Sequence, residues 1–483
     1  MRIVYRIYVL VVLSILLFYG CNDETTVPIT GVVDNTNNGF QTKAVAEIFV
    51  NNCAVSGCHV GSNPSSGLSM IRYSDLLKGS SDRSDGAIPN YGGDVVIPYR
   101  PQESLLYQMM VKNVTPEAPH DGLVINQDQI NTIKEWIENG ARDNNNNLPF
   151  RNPSYRVYVN NQNSDIISVI DGDSKVVSAL IDVSQPGSLP AHPHMVKVQD
   201  GYLYATLIGA AKFIKINTSD YSIVGEVNGI TKAGMIIFNP SGTKAFVSRS
   251  STSDPIFQSI YAIDVTNMSI ISEINLAAPG VPHGMALTPD GNKLYVANLS
   301  LSRISIVDGN TNEYGNYDDI VLPPGTEPMQ TMISPDGKYL YVSARGTSKL
   351  LVFDTSTDTL ITEVSVDAMP MQIAVTSDGN KIYLGSMMMS TVNVIQKNGN
   401  SWSRIKQISH PGFRMIHGCD ITSDDKYVYV SSRNTDGMFE PYFDVGGEGS
   451  PGTIGIIDTQ TDEVVKLIEI EQFGSGLVVE KTD

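Results

Sequence analysis

From Tyr155 onward the chain alternates apolar and polar positions in short runs separated by Gly, Asn, Asp and Ser. A period of two puts successive side chains on opposite faces, the mark of β-strands. One strand type recurs: Val157-Tyr158-Val159, Leu203-Tyr204-Ala205, Ala245-Phe246-Val247, Leu294-Tyr295-Val296, Leu340-Tyr341-Val342, Ile382-Tyr383-Leu384 and Val428-Tyr429-Val430. Its aromatics stand 42 to 49 residues apart, close to the ~40–45 residues of a four-stranded propeller blade. Asp-Gly turns precede several of these strands (Asp290-Gly291, Asp336-Gly337, Asp378-Gly379) and supply the positive φ of a tight hairpin. A third strand ends on Asp171, Asp308, Asp354 or Asp458, where an Asx turn can form, and a fourth follows. Seven units fit between residues 155 and 483. The first lacks an opening strand, and residues 474–479 have the pattern to supply it, joining chain end to chain start and removing open sheet edges.

The front of the chain has a different period. Val45, Ile48 and Phe49 recur at helical spacing within residues 41–51, and a further helix is predicted over residues 104–110. The last, over 127–139, has Asn126 as N-cap with Gln129 three residues on, a capping box, and Gly140 to end it. Its stripe is Ile130, Ile133, Trp136 and Ile137. The expected fold is multidomain: a small all-α domain followed by an all-β seven-bladed propeller. The expected boundaries are a leader over 1–21, a linker over 22–39, the helical domain over 40–145, a linker over 146–154 and the propeller over 155–483.

Arg2 and Arg6 precede an apolar run from Ile7 to Phe18 and then Gly20-Cys21. That layout is an export signal, too short for a confident membrane span. The cysteine after a small residue resembles the lipobox of bacterial lipoproteins, which implies lipidation at Cys21 and a periplasmic or cell-surface location, with the membrane touched only through the anchor. Charge adds a constraint: 33 Lys+Arg against 51 Asp+Glu gives −18, which argues against nucleic acid as a partner.

Of the remaining cysteines, Cys419 reads as a small buried residue, whereas Cys53 and Cys58 form a close pair followed at once by His59. Two thiols and an adjacent imidazole suit covalent haem attachment, each thiol adding to a vinyl group and the histidine ligating iron. The spacing is C-x₄-C-H rather than C-x₂-C-H. A disulfide and a metal site are the other readings of the same residues. With Gly67-Leu68-Ser69, the run from Pro101 to Tyr107 and the run from Trp136 to Ala141, the front region resembles the cytochrome c-like domains of planctomycete and Bacteroidetes proteins. That resemblance implies haem c on Cys53 and Cys58 with His59 axial. Such domains place a Met-Pro before the last helix as the second ligand; here Ala118-Pro119-His120 stands there, which points to His120, with Met110 and Met109 as alternatives.

The repeat resembles the YVTN or surface-layer type of propeller. Aligned on the Asp-Gly turn, His283, Met329, Met371 and His417 occupy one position before the innermost strand, with Gly234 in another blade and His192 or His194 near it in a further one. Propeller symmetry gathers them at the channel mouth, where His and Met can serve a metal or cofactor or simply line the channel. Met387-Met388-Met389 marks a soft surface, and the Gly-rich acidic stretch 436–452 is an insertion of the kind that often binds.

The leading expectation is an exported, lipid-anchored electron-transfer protein whose propeller docks a redox partner protein or a small-molecule substrate; as an enzyme it would be a haem-dependent oxidoreductase. The rival is a non-enzymatic binding or surface-layer module with a bonded cysteine pair.

Overall fold

The computed structural model describes residues 38–82, 88–93, 95–114, 120–185, 190–250, 256–442 and 449–480. The leader and the lipidation position Cys21 lie outside these residues, as do Ala118 and Pro119.

Residues 156–479 form seven antiparallel sheets arranged as propeller blades. Blades 2 to 7 each run outward in chain order, beginning with the innermost strands Pro193–Gln199, Ala233–Phe238, Pro282–Leu287, Pro328–Ile333, Pro370–Val375 and Ile416–Ile421. Blade 1 is closed by the chain end: Gly474–Val479 pairs antiparallel with Arg156–Asn161. The ring thereby has no free innermost edge.

The recurrent aromatic of each second strand explains why the blades pack. Tyr158, Tyr204, Phe246, Tyr295, Tyr341, Tyr383 and Tyr429 are all at most 2% exposed. Each fills the gap to the next blade, as Tyr295 does against Leu340 and Val342. Some also tie neighbouring blades by hydrogen bonds: the Tyr295 hydroxyl donates to Asp358 at 2.6 Å and Tyr383 to Asp462 at 2.5 Å. The Asp that ends a third strand forms the Asx turn its sequence predicts; Asp354 accepts from the amides of Ser356 at 2.8 Å and Thr357 at 3.1 Å. Gly291, Gly337 and Gly379 take φ of 77°, 75° and 71° in the preceding hairpins, which is the reason for glycine there.

The front region departs from the all-α expectation. Four short helices, α1 (Lys43–Ile48), α2 (Tyr73–Leu76), α3 (Leu105–Met110) and α4 (Gln127–Glu138), are joined by turns and irregular chain. Proline, glycine and serine dominate the connections and break the helical period. Its core is an aromatic cluster of Phe40, Phe49, Tyr73 and Trp136. Helix α4 carries the capping box, with Gln129 N donating to Asn126 at 2.9 Å and Asn126 N to Gln129 at 3.0 Å. Among the described residues, no helix is long and apolar enough to cross a membrane.

The front region is fastened to blade 7. Gly92 N donates to Leu467 O at 3.0 Å, Leu467 N to Asn90 O at 2.7 Å, and the Asn90 side chain to Val464 O at 2.7 Å. Between these bonds Tyr91 is fully buried against Phe439 and Tyr442 of the blade 7 insertion.

Candidate functional site

Helix α1 does not stop at Ile48 but widens into a π-helical turn, Phe49–Cys53. Such turns are frequent at functional positions because they re-aim side chains. Here the turn delivers Cys53 to a cavity of about 280 Å³. Cys58, His59, Leu68, Met109, Met110 and His120 also line it, and Tyr442 reaches it from the propeller.

Within it the rings of His59 and His120 lie parallel within 4°, their centroids 6.1 Å apart. His59 Nδ1 is 3.0 Å from the carbonyl oxygen of Leu68, so this nitrogen holds the proton and Nε2 is left as a lone-pair donor. That backbone bond is the support metal-bound histidines commonly have. His120 Nδ1 is buried with no hydrogen-bond partner among the described residues, which is costly unless another group satisfies it. Burial lowers the His59 pKa against the backbone bond to Leu68, and burial together with His59 lowers that of His120. Both rings are therefore neutral near pH 7, the form that ligates.

Cys53 carries a free thiol, pushed up to about 12 by burial. Burial keeps this thiol protonated at neutral pH. Cys53 and Cys58 are not bonded to each other, which removes the disulfide reading of the pair. Met110 packs in the front core, and Met109 lies against the cluster under blades 6 and 7. Both line the cavity wall, whereas His120 is the one that faces His59. The sequence signals had marked all of these residues except Tyr442, which an irregular insertion brings from more than 300 positions away.

A second cluster sits in the propeller channel. His194, His283, Met329, Met371 and His417 are each the second residue of an innermost strand, and all are buried. Of the two sequence options in blade 2, His194 takes the channel position. His192 turns away, with φ 50° and its Nδ1 2.7 Å from Gln162 O. His194 lies 5.9 Å from His283 and 6.1 Å from His417 between ring centroids. Burial pulls His194 down to about 3 and His283 to about 4, and it holds His417 well below the usual value. The positive charge of Arg433 acts on all three. The methionines pack with Val281, Leu299 and Met387 as an apolar cluster. Arg433 had a sequence signal that went unread: an Arg four residues beyond the strand aromatic, at Tyr341/Arg345 and again at Tyr429/Arg433.

The arrangement of seven four-stranded sheets closed by the chain end decides the architecture. It is a seven-bladed β-propeller. Residues 324–411 of the propeller match the family described as Lactonase, 7-bladed beta-propeller. No curated protein matches the chain. Solved structures similar to it include a functionally unknown protein from Desulfotomaculum acetoxidans, at 16% identity and TM-score 0.56, covering 68% of this chain and 100% of that one. A Lactobacillus plantarum protein has 14% identity and TM-score 0.52, with 67% and 99% covered. A putative 6-phosphogluconolactonase from Bacteroides fragilis has 16% identity and TM-score 0.51, with 68% and 98% covered. At these identities the likeness concerns the propeller fold alone.

Proposed function

We propose that the chain is an exported c-type cytochrome fused to a propeller, lipid-anchored through Cys21, and that it carries electrons to or from a partner or small substrate docked on the propeller. The single observation behind this reading is the pair of parallel, neutral imidazoles facing each other in a cavity that also holds Cys53 and Cys58. His59 and His120 are the axial candidates and the two cysteines the attachment points; haem c bound there would supply a one-electron carrier. The residues around it have separate tasks. Leu68 O fixes the tautomer of His59, the Met109 and Met110 wall keeps water away, and Tyr442 closes the side toward the propeller.

Axial ligation by His120 is tested by absorption and electron paramagnetic resonance of His120→Ala beside the wild type, both produced with a c-type maturation system. The wild type is expected to be low-spin; the variant is expected to keep its covalent haem and become high-spin. A low-spin spectrum unchanged in the variant would pass the ligand role to Met109 or Met110. His120→Met is expected to raise the midpoint potential, because a thioether ligand favours the reduced state.

The match of residues 324–411 to a lactonase propeller favours a second reading, a propeller module acting on or binding a small ligand without haem. It predicts ligand binding that is indifferent to Cys53, Cys58 and His59.

A further inference from the structure

Among the described residues, the channel mouth holds a positive charge that no carboxylate pairs with. Arg433 follows the second strand of blade 7, Tyr427–Ser432. Its Nε is buried and has no hydrogen-bond partner among the described residues, and its guanidinium lies over the Phe473 ring at 4.3 Å. The other arginines of this face are paired: Arg249 with Glu273 at 2.8 Å, Arg345 with Glu327 at 3.0 Å and Arg414 with Asp436 at 2.6 Å. Arg433 forms no ion pair among the described residues, and burial pulls its pKa down to about 10.

Beside it stand more unsatisfied polar atoms. Both ring nitrogens of His194 and Nδ1 of His417 are buried without partners. His283 Nδ1 is 3.0 Å from the carbonyl of Met329. A buried polar group without a partner costs roughly 1–3 kcal/mol. Arg433 offers a guanidinium fork for a charged ligand, and its charge reaches the three channel histidines. Arg433 also lines a pocket of about 380 Å³, together with Asn163, Asn434, Thr435, Gln472, Phe473 and Asp436, whose carboxylate is already paired with Arg414 at 2.6 Å. That volume suits a small ligand, and the amide and hydroxyl lining suits a polar one.

We propose that the propeller mouth binds a small polar carboxylate, its carboxyl group paired with the Arg433 guanidinium and its remainder lying in the pocket lined by Asn434, Thr435 and Gln472. The charge pattern selects an anion over a metal, and the planar fork selects a carboxylate over a spherical halide. The site rests on propeller residues alone and stands whether or not haem occupies the front cavity.

The test is thermal unfolding of the full chain at pH 7, titrated with sodium lactate and, at equal ionic strength, with sodium chloride and sodium phosphate. Lactate is expected to raise the midpoint saturably, as a ligand of the native state does, while chloride and phosphate produce no saturable rise. Arg433→Met is expected to weaken lactate binding about 10- to 100-fold, the loss of one charge-assisted bond. Arg433→Lys, which keeps the charge and is the safer variant for folding, is expected to fall between the two. No saturable rise with lactate, or equal lactate affinity in the wild type and Arg433→Lys, would overturn the proposal. A rise with chloride or phosphate matching that with lactate would overturn the carboxylate assignment.

Discussion

At the residue scale, the buried histidines of the channel make stability depend on pH. His194 and His283 are held at about 3 and about 4, and His417 is also well below 6.5. The unfolded chain takes up these protons near pH 6.5 while the folded one does not, so stability is full above that pH. It falls as pH drops from 6.5 toward the folded values, by about 1.4 kcal/mol per pH unit for each ring. Urea unfolding at pH 7 and pH 5 is expected to show a loss of about 2 kcal/mol for each of His194 and His283. His283→Gln is expected to reduce that loss by one such share. A midpoint that does not move between the two pH values would show that these rings titrate normally. Much of this was legible. The equivalence of His283, Met329, Met371 and His417 follows from counting back from one turn. The spacing Tyr429/Arg433 repeats Tyr341/Arg345 and marks the position in the sequence, but that Arg433 has no carboxylate partner where Arg345 has Glu327 is visible only in the folded channel.

At the element scale, the strand repeat carries both pattern and chemistry. Asp-Gly turns, strand aromatics and terminal Asp residues each specify a local structure that agrees with the ring, and this consistency makes the propeller readable from sequence. The Tyr295–Asp358 bond joins two blades. Tyr295→Phe is expected to cost about 1–3 kcal/mol, since Asp358 loses a buried donor; denaturant unfolding measures it, and a change below a few tenths would assign the cohesion to the ring contact alone. The closing strand Gly474–Val479 is buried at every position. Leu477→Asp is therefore expected to open the ring, seen as loss of amide protection in Arg156–Asn161. The front helices were legible as periods, and the capping box at Asn126 as a motif. Their shortness was not, because turn residues between them hide where a helical run gives out. The π-helical turn at Phe49–Cys53 has no signal in the sequence, since it differs from an α-turn only in hydrogen-bond register.

At the scale of the whole molecule, the blade 7 insertion joins the two candidate sites. Arg433 and Asn434 lie at the channel mouth. Asn434 holds the chain by bonds with Phe439, 2.9 Å to its carbonyl and 3.1 Å from its amide. Tyr442 then lines the cavity of the front region. Tyr91 locks the two regions together, so Tyr91→Ala is expected to cost about 3–5 kcal/mol and to release the front region first, giving two unfolding transitions where the wild type shows one. No part of this docking could be read in advance, because Asn90 and Val464 are 374 residues apart and their contact obeys no local pattern. The central claim is that Cys53, Cys58 and His59 hold a haem, and a pyridine haemochrome spectrum of the full chain, produced with a c-type maturation system, tests it most directly. One covalent c-type haem per chain, lost in Cys58→Ser, is the predicted result. A haem-free protein would contradict the account and leave the propeller as the functional part of the molecule.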